Sequence, residues 1–393
     1  MRRISNDERR ARLGVRHHLA DTARVTDPTK LAADLVGLHS SDPAAVFLSA
    51  AARLKTPARA VATLERALYD DRTLVRTLCM RRTMFVVPLD LVAVVQAACT
   101  DPLVPGERKR FVKMVEEAGI TRDGRRWLKK LETETMAAIE ELGEATAGEI
   151  SKLVPGLRHQ IPVGEGKTWA GTIGVSTRVL FLLATEQRVV RGRPKGSWTS
   201  SQYRWAPMDA WLVDGVPSIP APEARAALVR RWLAAFGPAT TVDVKWWTGW
   251  TVAQTKAALA AVEAVEVELD DGPGWVLPDD RAPVRTPKPW VALLPGLDPT
   301  TMGWKERSWY LGDHGSALFD GNGNAGPSVW VDGRVVGGWA QRRDGEVVTE
   351  VLEDIGRTAT TAVDRAAAAL QVWLGDTRVT PRFPTTLQKQ LAG

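Results

Sequence analysis

The stretch TPARAVATLERALYDDRTLVRTLCMRRTMFVV, residues 56–87, decides the fold. Thr56-Pro57 predicts a helix start, because proline has no amide hydrogen to lose at the first helical position, and the helix ends near Tyr69. Residues 73–78 and 83–87 then read as two strands rich in β-branched side chains, joined by the basic turn Met80-Arg81-Arg82. Helices followed by a two-stranded basic wing describe a winged helix; an ordinary solvated hairpin gives the same local pattern.

Upstream, Ser5-Asn6-Asp7-Glu8 has the spacing of a capping box and opens an amphipathic helix carrying Leu13, Val15 and Leu19. Asp27-Pro28 and Asp42-Pro43 each place a good N-cap before a proline and so start two more helices, one ending in Leu35-Val36-Gly37-Leu38 and one running through Leu54. His39-Ser40-Ser41 is thereby pinned between two helices.

Downstream of Pro88 comes a helical connector, 89–98 and then about 106–142, after which the pattern restarts. A short helix opens at 145–150, a long one is expected over about 171–185, and 189–192 with 202–206 predict a second basic wing. Its tip, Arg191-Gly192-Arg193-Pro194-Lys195-Gly196, is a flexible cationic loop of the kind that tracks phosphates. A third unit follows Pro220-Ala221-Pro222: a helix at 223–236, a short one capped at Thr240-Thr241, a candidate recognition helix at 251–262, and strands at 265–269 and 274–277. The acidic turn Asp270-Asp271-Gly272-Pro273 is unsuited to phosphate, which makes this unit structural. From Pro287, short strands at 291–294, 317–319, 328–331, 334–339 and 347–352, with a final helix near 361–374, argue for a small β-barrel. The expected fold is α+β: three tandem winged-helix domains, at 1–100, 101–215 (with the connector) and 216–286, then a C-terminal β-barrel-like domain at 287–393.

A length of 393 residues suits two to four compact units. The 52 Lys and Arg against 46 Asp and Glu give a net charge of +6, which by itself favours a polyanionic partner only modestly. The clusters at Arg76, Arg81 and Arg82, at Arg108, Lys109 and Arg110, and at Arg191, Arg193 and Lys195 say more, because two of them fall on predicted wings. Two cysteines, Cys79 and Cys99, provide neither a disulfide framework nor a zinc site and read as reduced core residues. Most of the 16 tryptophans are expected in the core. The charged stretch from Met1 to Glu8 lacks a signal peptide's apolar run, and no run of about 18 apolar residues occurs. The expected location is cytoplasmic, nucleoid-associated when bound to DNA.

At Leu35-Val36-Gly37-Leu38-His39-Ser40-Ser41-Asp42-Pro43, and again from Gly323 through Gly326-Pro327-Ser328-Val329-Trp330-Val331-Asp332-Gly333-Arg334 to Trp339, the sequence resembles a family of winged-helix DNA-binding proteins that includes the AlkZ and YcaQ DNA glycosylases. The resemblance covers nearly the whole chain. It implies a C-shaped clamp of three winged helices closed by a C-terminal barrel whose hairpin reaches DNA. The implied activity is monofunctional excision of N7-alkylated purines, including bulky genotoxin adducts and interstrand crosslinks, in repair or self-resistance. In the enzymes it resembles, a Gln-x-Gln or Gln-x-Asp motif follows the second helix of the first winged unit. The matching positions are His39 and Ser41, so the sequence departs from that pattern at both ends.

Chemistry remains open to the replacements. An imidazole titrating near 6.5 can accept a proton from water, Ser41 can orient that water, and Asp42 can balance a sugar cation. Asp42 before Pro43 is equally a plain helix cap, and His39 a hydrogen-bonded turn residue. Candidate DNA contacts are Arg81, Arg82, Arg191, Arg193, Lys195 and Arg334, with Asn322 and Asn324 in a glycine-rich turn segment that also fits plain turn chemistry. The reading calls for no metal or organic cofactor, for a monomer without membrane attachment, and for double-stranded DNA carrying alkylated purines as partner. The alternatives are a non-enzymatic winged-helix DNA-binding regulator, which would prefer one sequence, and a protein that sequesters a free genotoxin in a Trp-rich interior.

Overall fold

The computed structural model describes residues 1–167 and 170–393. Its N-terminal helices begin where short polar side chains replace backbone acceptors. Ser5 Oγ accepts from the Glu8 amide at 3.3 Å, Asp27 Oδ1 from Thr29 at 2.8 Å and Asp42 Oδ1 from Ala44 at 3.0 Å. The box at Ser5 is incomplete, because the Glu8 carboxylate is taken by Arg2 and Arg12.

Leu74–Leu78 and Met84–Pro88 pair antiparallel with Thr77 opposite Phe85, as expected of the first wing. A third strand, Leu38–His39, joins this sheet where the sequence predicted a helix end. The helix stops earlier, at Asp34, because Val36 and Gly37 take positive φ, 54° and 105°. At Gly37 a Cβ would lie 2.9 Å from Val87 Cγ1, so only glycine lets the chain pass so close to the sheet. The consequence is functional: His39 and Ser40 leave a strand, and successive strand residues point to opposite faces.

The next region carries helices Val104–Glu117 and Gly124–Leu142, then a sheet ordered Ala145–Thr146, Tyr203–Pro207, Val189–Pro194. Its long helix is Val175–Thr185, shorter than expected. Gly171–Gly174 instead pairs with Gln160–Val163, since glycine weakens a helix while Thr172 and Ile173 favour extended chain. The third region follows the prediction closely: helices Ala221–Phe236, Thr241–Thr248 and Val252–Ala261, two of them opened by reciprocal capping boxes, Thr240 with Asp243 and Thr251 with Gln254. Its hairpin, Val265–Leu269 with Gly272–Val276, gains a parallel partner in Arg3–Ile4.

The C-terminal strands Val291–Leu294, Ser328–Val331, Arg334–Gln341 and Val347–Val351 form an antiparallel meander in chain order. This corrects the expected barrel: the sheet is open, because four short strands cannot curl to closure. Helix Gly356–Leu374 packs against its first and last strands instead. Residues 317–319, read as a strand, belong largely to the helical turn Gly315–Leu318. The fold is thus mixed α+β with several small sheets.

One continuous apolar core runs through the first and third regions and the C-terminal sheet, while residues from Phe111 to Trp205 build a separate core. Trp232, Phe236, Trp247, Trp304, Trp309, Tyr310 and Trp330 form a connected aromatic cluster within the larger one. Cys79 and Cys99 are free and buried. An ion pair, Arg53 with Asp298 at 2.6 Å, is fully buried and ties helix Pro43–Ala51 to the segment after Leu294. Among the described residues no helix is long and apolar enough to cross a membrane.

Candidate functional site

Strand alternation divides the tripeptide His39-Ser40-Ser41. Ser40 and Ser41 open on a cleft of about 740 Å³. Its far wall comes from the second sheet, with Arg191, Lys195, Gln202, Tyr203 and Trp205, and its rim from Arg382 and Phe383. No carboxylate lines it among the described residues. The cleft is therefore cationic and aromatic.

His39 faces the other way. Its ring lies 4.9 Å from that of Phe85, in a small space shared with Arg81, Trp247, Pro299 and Met302. Burial, and secondarily the nearby Arg81 charge, lower its pKa to about 3. Desolvation favours the neutral ring and makes it a weaker proton acceptor than an imidazole titrating near 6.5. A long contact, 3.5 Å, joins Nδ1 to the amide of Ser41, so the ring sits behind the serine.

Asp42 is buried, and both of its oxygens accept backbone amides. Oδ1 caps the helix at Ala44, and Oδ2 accepts from the Arg382 amide at 3.0 Å. Arg382 in turn donates from Nη1 to the Ser41 carbonyl at 3.2 Å. A carboxylate thus occupied anchors one rim of the cleft.

The candidate DNA contacts fall into three groups. Arg191 and Lys195 share the cleft with Ser41. Arg191 lies 5.2 Å from the Trp205 ring and 5.7 Å from Tyr203, and burial, reinforced by Arg76, depresses its pKa to about 10. Arg81 is elsewhere, 3.9 Å over the face of Trp246, with Arg307 5.2 Å from that same ring. The remainder are already engaged. Arg82 pairs with Glu107, Arg193 with Glu65 and Asp70, and Arg334 with Glu353. Asn322 and Asn324 close a turn on Asp320, whose Oδ1 accepts both their amides at 2.8 and 2.9 Å.

Sequence reading missed Ser40, Tyr203, Arg382 and Phe383 as cleft residues, and Arg76 behind them against the Ser40 carbonyl and the Tyr203 ring. Arg76 stood out only as part of a basic run, and nothing local links Arg382 to Ser41. No three His, Cys, Asp or Glu side chains gather within metal-binding range among the described residues.

Comparison with known proteins supplies the context. No curated protein matches the chain. Among solved structures it is similar to the Streptomyces sahachiroi DNA glycosylase AlkZ, with a TM-score of 0.72 and 21% identity, over 97% of this chain and all of that one. At that identity the match speaks for a shared fold. The family model of AlkZ-like DNA glycosylases matches residues 32–373, a span that contains Ser40, Ser41, Arg76, Arg191 and Tyr203 though not Arg382, and on this match the chain belongs to the AlkZ-like DNA glycosylase family.

Proposed function

We propose that the chain is a monofunctional DNA glycosylase that removes N7-alkylated purines, bulky genotoxin adducts and crosslinks among them, from double-stranded DNA. The observation that carries this reading is that Ser41, at one end of the altered motif, opens on the cationic aromatic cleft. On the same reading the three helix-and-sheet regions are winged helices, divided near residues 100, 215 and 286, with the open C-terminal sheet as the fourth unit.

The reaction asks little of acid–base chemistry. N7-alkylation already makes the base cationic, so the N-glycosidic bond breaks with its electron pair going to the base and cancelling that charge. A water oxygen then bonds C1′, and its proton passes to solvent. Ser41 orients this water by hydrogen bonding. His39 is a positioning residue, neutral and packed behind the Ser41 amide. Asp42 acts through structure, fixing the helix start and the Arg382 segment. Arg191 and Lys195 hold the DNA backbone, with Arg81 a second contact over Trp246. Arg82, Arg193 and Arg334 serve DNA only by exchanging their carboxylate partners, and Asn322 and Asn324 only through their turn. The chain acts as a monomer, in the cytoplasm and on the nucleoid.

The reading is tested by base release from duplexes carrying N7-methylguanine or a bulky N7-alkylguanine. Release by the wild type is expected, with Ser41→Ala slower by about 10²-fold, within the range of one positioned catalytic group, and DNA affinity unchanged. No release from either duplex sinks it. The altered motif and the absence of a carboxylate along the cleft among the described residues favour the regulator as second reading, which a strong preference for one undamaged sequence over random DNA would establish.

A further inference from the structure

The cleft holds more positive charge than the fold itself balances. Arg76 is 2% exposed, with its guanidinium 4.8 Å from the Tyr203 ring and Nη1 reaching the Ser40 carbonyl only at 3.4 Å. Neither Arg76 nor Arg191 has a carboxylate partner among the described residues, whereas Arg193, two positions along the same strand, has two. The charge of Arg76 is felt at Arg191, as is that of Arg382. Like charges gathered under partial burial are costly, and proteins keep such groups where an anion completes them.

Three further polar atoms lack partners here. Ser40 Oγ, on a residue 3% exposed, Tyr203 Oη and Arg76 Nε are buried without a hydrogen bond among the described residues. Ser40 and Tyr203 both line the cleft. Buried donors left unsatisfied are rare, so the meeting of Ser40 and Tyr203 on one cavity, with Arg76 behind them, marks a place for an acceptor-rich ligand. Three guanidiniums, a lysine and two hydroxyls supply donors only to something with several acceptor oxygens and negative charge.

We propose that this cleft is a phosphate-binding site, in which Arg191 and Arg382 grip one phosphodiester of a DNA strand, with Ser40 and Tyr203 donating hydroxyls and Arg76 supplying charge from behind. The inference rests on the proposed action on DNA for the source of the phosphate.

The test uses the full chain and an undamaged duplex, with affinity followed against salt by fluorescence anisotropy. Arg191→Gln and Arg382→Gln are each expected to weaken binding about tenfold or more, as for loss of a charge-assisted contact. The dependence of log K on log salt should flatten by about 0.9 for the lost phosphate contact. Arg191→Lys should restore part of the slope. Inorganic phosphate should displace the duplex from the wild type better than chloride at equal ionic strength. Unchanged affinity and slope in both glutamine variants overturn the proposal, whether or not bases are released. Phosphate that binds while the variants keep full duplex affinity overturns the strand as its source. Weakened, flattened binding in a protein that releases no base upholds the site and refutes the glycosylase reading.

Discussion

Replacing Arg53 by methionine should destabilise the protein by about 3–5 kcal/mol, the usual cost of leaving one member of a buried ion pair uncompensated. Arg53 uses every N–H it has: Nη1 and Nη2 donate to the two Asp298 oxygens at 2.8 and 2.6 Å, and the rest reach the His17 and Ser49 carbonyls and Thr300 Oγ1. Without it, the fully buried Asp298 carboxylate keeps only Ser49 Oγ and the Thr300 amide as donors. Asp298→Leu should cost a similar amount by stranding the guanidinium. The double variant Arg53→Met, Asp298→Leu should cost less than the two singles together, because it removes both charges and leaves only neutral groups short of partners: the His17 and Ser49 carbonyls, Ser49 Oγ and the Thr300 amide. Urea midpoints at neutral pH, read by tryptophan fluorescence, measure all three; Trp304, 5.8 Å from the His17 ring, reports on the site. A double variant as unstable as the sum of the singles would refute the coupling, and so would a loss below about 1 kcal/mol in Arg53→Met.

His17 and His39 are both held neutral by burial, with pKa about 3, against about 6.5 in the unfolded chain. The unfolded state therefore takes up protons that the folded state refuses, so stability is full above about pH 6.5 and falls as pH drops toward 3, by about 2 kcal/mol per histidine at pH 5. Urea midpoints across this range should show that fall, and His39→Gln should remove about half of it; a flat profile contradicts the burial argument. Asp42→Ala should cost about 1–2 kcal/mol through the lost cap and hasten tryptic cleavage after Arg382, whose amide it holds; unchanged cleavage would mean that the segment is held by other contacts. Gly37→Ala, forced to a φ of 105° with Val87 2.9 Å away, should lower the melting temperature by several degrees, and a neutral result would show that the sheet yields there.

Local chemistry made much of the fold legible. Asp27-Pro28 and Asp42-Pro43 announce their helices because a cap and a fixed φ act over two residues, and the caps form as read. Strands Val291–Leu294 and Ser328–Val331 lie where the alternation of short apolar runs and turns puts them. What escaped is set by partners distant in sequence. Arg3–Ile4 is extended because Val265–Leu269 offers it an edge, and Leu38–His39 because Met84–Pro88 does. The C-terminal sheet has four strands and stays open because residues 317–319 belong largely to a helical turn, which strand spacing does not record. At the cleft, the sequence drew attention to Ser41, Arg191 and Lys195, which are together, and to His39, which strand alternation turns away. It treated Arg193 and Arg334 as free cations, since pairing with Asp70 or Glu353 is decided by folding.

The bond from the Arg382 amide to Asp42 spans 340 positions, and it fixes when in the life of the molecule the cleft comes into being. A ribosome delivers Ser41 341 positions before Arg382, so over that stretch of synthesis a growing polypeptide carries one wall without the rim that completes it. A product terminated before Arg382 stays in that condition: it retains basic surface, but Asp42 Oδ2 and the Ser41 carbonyl lose the donors that hold the rim in place. The proposed grip on a polyanion is thereby reserved for molecules whose synthesis has passed Arg382.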